Sequence, residues 1–251
     1  MSVFLLTSAA HSPGVTTLGV ALAVHGSEPA LLVDANREPD QSVLAGYLGG
    51  ADPQGRGLGG LLQAHRERRP LELVLASMTL PLGEHSDFLP GFTHPGMVSL
   101  FNPVWPELAT ALEAEQRTVL VDAGRLGATG LPAGLISACS GVLVCTRTAL
   151  PDLAALRLYL PQVIEAVGEE RVGLVLVGPG RPYTGTEIQR RFSVPIWGHL
   201  AWKPEDAEVY SHGRTPGRRH QLSSYLDDVR ALDRRLAERD LHRRALLGAR
   251  P

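Results

Sequence analysis

Lysine is nearly missing from this chain: Lys203 is the only one in 251 residues, and every other basic side chain is arginine. Any lysine-dependent site therefore has a single candidate. Cysteine is almost as scarce. Cys139 and Cys145 both lie in or beside an apolar run, which argues against a disulfide framework or a cysteine metal site and predicts reduced, buried thiols. No stretch approaches the ~18 uninterrupted apolar residues that span a bilayer, so any membrane association is expected to be peripheral. The apolar start Val3-Phe4-Leu5-Leu6 is short, lacks a preceding basic residue and runs into a Gly/Pro turn. It does not read as a signal peptide, and a cytoplasmic protein is expected. An excess of one charge is lacking too. A net charge of -2 and a pI near 6.5 argue against a generally basic nucleic-acid surface, though not against a local patch.

What is present is a globular composition, with 44% apolar and 20% charged residues and a mean hydropathy of +0.01. One domain covering 1–251 is expected, with a sizeable core. Short apolar runs at Val3 to Thr7, Ala30 to Asp34, Thr118 to Asp122, Gly141 to Cys145, Val172 to Val177 and Pro195 to Leu200 read as buried strands. Helices are expected between them over Val15 to His25, Pro106 to Glu115 and Leu150 to Val167. This alternation predicts an α/β fold: a mostly parallel twisted sheet flanked by helices on both faces. The glycine-rich residues 49–60 read as a mobile loop, and the proline-rich residues 79–106 as a partly irregular insertion. From His220 to about Leu247 the pattern becomes one long helix, with Leu222, Leu226, Val229, Leu232 and Leu236 at helical spacing. That stripe is expected to pack on the sheet or on a second subunit.

The first strand, the turn Ser8-Ala9-Ala10-His11-Ser12-Pro13-Gly14 and a helix opening on Thr16-Thr17 form the setting of a phosphate-binding loop. Such a loop needs glycines that let backbone N–H groups point inward, a lysine for the β/γ-phosphates and a hydroxyl for Mg²⁺. Here Gly14-Val15-Thr16-Thr17 stands where Gly-Lys-Thr-Thr is required, so an apolar side chain holds the lysine position. Leu31-Leu32-Val33-Asp34-Ala35-Asn36 then delivers a carboxylate to the end of the second strand.

In these segments the chain resembles the MinD/ParA group of P-loop ATPases, whose deviant Walker A motif reads K-G-G-x-G-K-T-T. Against that motif Ala10 replaces the signature lysine, His11 and Ser12 replace glycines, Pro13 takes the variable place and Val15 replaces the second lysine. Gly14, Thr16 and Thr17 match. The family's D-x-D is Asp34-Ala35-Asn36, and Thr118 to Asp122 followed by Ala123-Gly124 matches the Walker B strand. Val142 to Thr146 with Leu150-Pro151-Asp152 resembles the next strand and helix. Gly178-Pro179 stands where an adenine-contacting Asn usually follows the strand Val172 to Val177. The resemblance implies a P-loop NTPase fold with a vestigial nucleotide site at Ser12, Pro13, Gly14, Val15, Thr16, Thr17, Asp34, Asn36 and Asp122. No catalytic residue, metal or cofactor is expected; were Mg-ATP bound, Thr16 and Asp122 would hold the metal.

Loss of both lysines removes the main electrostatic stabilisers of phosphoryl transfer. An arginine from Arg37, Arg125 or a partner subunit is the alternative source of charge. Thr16 and Thr17 serve equally well to begin a helix, and Asp34 and Asp122 to bind loop N–H groups. His11 reads as a loop hydrogen-bonder rather than a general base. The segments Ser12 to Thr17 and Leu89-Pro90-Gly91 to Trp105 look like proteins that accompany Tad/Flp pilus and type II/IV secretion genes in actinobacteria, akin to the CpaE/TadZ localisation factors. The expected function is a pseudo-ATPase scaffold for such a machine. The alternatives are an active ATPase with a non-standard loop and a ParA-type DNA-partition protein using Arg214, Arg218, Arg219 and the C-terminal arginines as a local basic face. A homodimer through the loop-bearing face is expected. Leu241-His242-Arg243-Arg244-Ala245-Leu246-Leu247 is the candidate for peripheral membrane contact.

Overall fold

Alternating side chains within each apolar run separate to two faces, and the runs pair as an eight-stranded sheet in this structure, a computed structural model that describes residues 2–10, 13–128 and 130–248, with side chains through residue 245. The strands are β1 (Val3–Ser8), β2 (Ala30–Asp34), β3 (Leu80–Pro81), β4 (Ser86–Leu89), β5 (Thr118–Arg125), β6 (Gly141–Arg147), β7 (Val172–Val177) and β8 (Ile196–Leu200). Their order is β3-β4-β2-β5-β1-β6-β7-β8. Every pairing is parallel except β3 with β4. Parallel strands buried on both faces are expected to be rich in Val, Leu and Ile throughout, as these are.

On β1, Val3 and Leu5 enter one core layer, whereas Phe4 and Leu6 enter the other. The two-residue period continues in β2, β5 and β6. The first layer is covered by α2 (Leu58–Arg66), α3 (Leu71–Val74), α4 (Gly96–Leu100), α5 (Trp105–Ala114), α6 (Ala133–Ile136), α7 (Leu150–Val167) and α8 (Gly185–Phe192). The second is covered by α1 (Val15–His25), a π-turn at Val43–Tyr47, α9 (Pro204–His212) and α10 (Ser224–Gly248). Leu226, Val229, Leu232 and Leu236 of α10 are buried in this second layer, each contributing roughly 1.5–3 kcal/mol of apolar burial. Polar ties fix its position. Asp233 accepts from the N–H and hydroxyl of Ser27 at 2.9 and 2.8 Å, and Arg239 lies 4.0 Å from the centre of the Trp197 ring.

The C-terminal helix is therefore packed on its own sheet, but it begins later than its periodicity suggests. His220–Leu222 form a separate 3-10 turn, and Leu222 is 83% exposed rather than part of the buried stripe. The cause is His220, which turns inward to Tyr210 and Asp206; Ser223 then starts the helix, its hydroxyl accepting the Leu226 N–H at 3.3 Å. Residues 79–106 are also more regular than expected, since β4 extends the sheet beside β2 and Phe92, Phe101 and Trp105 pack edge to face. Residues 49–57 form turns, and Leu58 already opens α2. Cys139 and Cys145 are buried free thiols, pushed up to about 11 and 12 chiefly by burial. No described helix is long and apolar enough to cross a membrane.

Candidate functional site

Strand order alone selects where a ligand would sit. From β1 the chain crosses to β2 on one side, while β6, β7 and β8 lie on the other. The loop after β1 therefore leaves the sheet at its topological switch point, where α/β sheets open a crevice at the strand ends.

Gly14 makes the turn into α1. Its φ of 99° and ψ of 36° are left-handed, a conformation glycine adopts without penalty, and its carbonyl accepts the Leu18 N–H at 2.9 Å. Val15 is 6% exposed and belongs to the second core layer. Thr16 donates its hydroxyl to Asp122 Oδ2, while Asp122 Oδ1 accepts the Gly124 N–H at 2.8 Å. Thr17 and Pro13 border a small side cavity. Ser12 and His11 lie outside the described residues.

Asp34, at the end of β2, and Asp122, within a β5 that runs on past the expected Asp122 to Arg125, are register partners, about 5 Å apart along the hydrogen-bonding direction. Burial, then repulsion from Asp122, pushes the Asp34 carboxyl up to about 8. Asp122 rises to about 6 through burial, opposed by the Thr16 hydroxyl and the Gly124 N–H. Asp34 accepts the Asn36 N–H at 3.1 Å and is packed beneath Gly91, where an added Cβ would stand 2.5 Å from its carboxyl group. Asn36 spends its own side-chain oxygen on the Glu38 N–H at 3.0 Å, forming a local turn.

Above these groups opens a cavity of about 490 Å³ bordered by Gly14, Val15, Thr16, Thr17 and Asn36. Its charged lining is Glu38, Asp40 and Arg125, with His212 on the far wall. Arg125 is already paired with Glu38 at 2.5 Å. Arg37, the other arginine expected to reach this place, donates instead to the Gly130 carbonyl. The structure thus gathers Gly14, Val15, Thr16, Thr17 and Asn36 round one cavity, with Asp122 held by Thr16 and Asp34 beside Asp122. Arg37 is turned away.

Several residues of the site escaped sequence reasoning. Tyr210, Ser211 and His212 at the end of α9 form a wall of the main cavity, and no spacing announces them. The side cavity, about 180 Å³, joins Pro13, Gly14 and Thr17 to Trp202 and Lys203. Arg147 and Arg181 lie 5.4 and 5.5 Å from the Trp202 ring centre, within reach of cation–π attraction. The rarity of lysine was the one signal available for Lys203.

No protein-family profile matches the chain, and no curated protein sequence matches it significantly. Its shape does have matches. A ParA family ATPase from Chlorobium tepidum TLS superposes with a TM-score of 0.74 at 15% identity, covering 94% of this chain and 98% of that one. The cell division ATPase MinD of Pyrococcus furiosus gives 0.72 at 16% identity over 95% and 99%. The fold is that of the ParA and MinD ATPases. Aquifex aeolicus MinD, in its complex with MinC, shares this ParA/MinD fold with a TM-score of 0.69 at 17% identity over 95% and 96%. At such identities the ParA/MinD likeness establishes architecture, and the chemistry of the loop has to be argued from the residues themselves.

Proposed function

We propose that this chain is a non-catalytic scaffold on the ParA/MinD fold, acting through protein contacts in the placement or assembly of a pilus or secretion machine. The observation that carries the reading is the charge of the cavity over the loop. Val15 stands at the lysine position, and the one arginine in the lining is paired with Glu38. Glu38 and Asp40 together leave that lining net negative. A triphosphate brought there meets like charge at short range, with no amine in that lining to compensate. Pro13 offers no N–H to a phosphate. The described residues therefore do not fit Mg-ATP, and no step is derived through it.

The choice of machine rests on the resemblance of Ser12 to Thr17 and of Leu89 to Trp105 to pilus-associated proteins. A homodimer through the loop-bearing face fits a fold in which that face no longer waits for nucleotide, and α10 contributes a peripheral membrane contact through residues 241–247. The side chains of Leu246 and Leu247 lie outside the described residues. Isothermal titration with Mg-ATP and Mg-GTP, paired with a phosphate-release assay, tests the central point: neither binding nor turnover is expected. Affinity isolation with mass spectrometry should recover pilus or secretion components, and analytical ultracentrifugation should show a dimer.

One observation favours the active-ATPase reading. Lys203, the sole lysine, borders the side cavity next to Gly14 and Thr17. If the titration shows micromolar binding that Lys203→Ala abolishes, this second reading replaces the first.

A further inference from the structure

The first turns of α7 expose leucine where a surface helix is normally polar. Leu150, Ala154 and Leu158 recur at four-residue spacing, and Leu150 and Leu158 are 63% and 76% exposed. Leu150 and Leu158 stand about 12 Å apart along the helix axis. Beside them, between α7 and α8, runs a groove of about 660 Å³ whose walls include the partly buried rings of Tyr183 and Phe192.

The groove carries an imbalance of charge. Its charged lining consists of Arg157, Arg191 and Glu187. Glu187 is already committed to the start of α8, accepting the N–H and hydroxyl of Thr184 at 2.8 and 2.7 Å; these bonds hold its carboxyl below the ordinary range. Arg157 and Arg191 make no ion pair among the described residues. The groove therefore presents leucine and aromatic surface beside two available guanidinium groups.

We propose that this groove docks an amphipathic helix of a partner protein, one with apolar residues on one face flanked by glutamate or aspartate. Two turns of exposed leucine match the i, i+3/i+4, i+7 ridge of such a helix, and carboxylates beside the ridge meet Arg157 and Arg191 in their preferred paired geometry. A second copy of this chain suits the groove less well, because a two-fold contact would bring two such excesses of positive charge together. The groove is also mechanically joined to the strand ends near the loop. Thr148, two residues before α7, donates its hydroxyl to the Gly178 carbonyl at 2.8 Å and accepts the Arg181 N–H at 3.1 Å. Its own carbonyl accepts the Tyr183 N–H at 3.3 Å.

The inference gives the scaffold reading a surface to work through and rests on that reading for its purpose, while its geometry is independent of the loop. Fluorescence anisotropy without nucleotide tests it, using a set of labelled amphipathic helical peptides with leucine on one face and either glutamate or lysine beside it. The glutamate peptides should bind the full chain, with binding roughly tenfold weaker for Leu158→Glu, an exposed substitution that leaves the fold intact by circular dichroism. The Arg157→Glu/Arg191→Glu variant should reverse the preference toward the lysine peptides. No preference for glutamate peptides in the unaltered chain, or undiminished binding by Leu158→Glu, overturns the proposal. So does a dimer in sedimentation that Leu158→Glu dissolves, since the groove would then belong to a second copy. Nucleotide binding found separately would overturn the pseudo-ATPase reading and leave this result standing.

Discussion

The hydroxyl of Thr16 donates directly to the carboxylate of Asp122, joining the first turn of α1 to strand β5 across 106 positions of sequence. The bond exists because β1 and β5 are neighbours in the sheet, and it favours the ionised carboxylate in a buried place. Thr16→Val should therefore destabilise the protein by about 1.5–3 kcal/mol when Asp122 is charged. The Asp122 carboxyl, already raised to about 6, rises further without its donor, so the cost should be full at pH 8 and much smaller at pH 5. Urea denaturation at the two pH values measures this. An equal loss at both would show that the hydroxyl does not act through the charge.

Asp34 carries the opposite consequence for pH. Its folded carboxyl keeps a proton up to about 8, whereas the unfolded chain releases it near the ordinary value of about 4. Between those values the folded state holds more protons, so stability present at low pH is lost as pH rises through the window. Asp34→Asn removes that titration and keeps an acceptor for the Asn36 N–H. The variant should gain about 2 kcal/mol over the unaltered chain at pH 8 and little at pH 5. Thermal denaturation across this range decides the matter, and a variant no more stable than the parent at pH 8 would count against the buried, protonated carboxyl.

How much of this was readable beforehand depended on the range of the signal. α1 and α7, and the strands β2 and β7, fall where apolar runs and periodicity place them, because fully buried parallel strands and long helices carry their information locally. Gly14 and Thr16 at the start of α1, and Asp34 and Asp122 on β2 and β5, were legible for the same reason. The short β4 was not, since four residues framed by Gly83 and Pro90 resemble a loop until β2 pairs with them. His220 was read as helical because Leu222 extends the apolar stripe, whereas its inward turn depends on Tyr210 and Asp206, supplied by another helix. The pairing of Arg125 with Glu38, which commits the cavity's arginine, likewise joins the last residue of β5 to the loop after β2, far apart in sequence.

That inward turn completes a hydrogen-bonded chain. His220 Nδ1 lies 2.7 Å from Asp206 Oδ1, and His220 Nε2 lies 2.7 Å from the Tyr210 hydroxyl, which is 2.8 Å from His25 Nε2. With the His220 proton on Nδ1, the Tyr210 hydroxyl donates to His220 and accepts from His25. Tyr210→Phe strands both ring nitrogens and should destabilise the protein by about 1–3 kcal/mol. Tyr47→Phe, which retains the stacking on Tyr210, should change little. Guanidinium denaturation of the two variants compares a bridging hydroxyl with a non-bridging one, and equal losses in both would show that the bridge between the histidines is not the source of the effect.

A lysine restored at the loop tests whether charge, rather than backbone shape, closes this site to nucleotide. Val15 borders the main cavity, so in Val15→Lys the long aliphatic stem can follow the wall and bring its amine into the opening. There it meets Glu38 and Asp40, which neutralise it before any phosphate does. Val15→Lys alone should therefore show no Mg-ATP binding in isothermal titration. Adding Glu38→Gln and Asp40→Asn removes both carboxylates and releases Arg125, turning the lining from net negative to positive, and this triple variant should bind at micromolar concentration. Binding by Val15→Lys alone would mean that a single missing amine, and not the charge of the whole cavity, had closed the site. Failure of the triple variant would place the obstacle in the backbone at Pro13, which contributes no N–H.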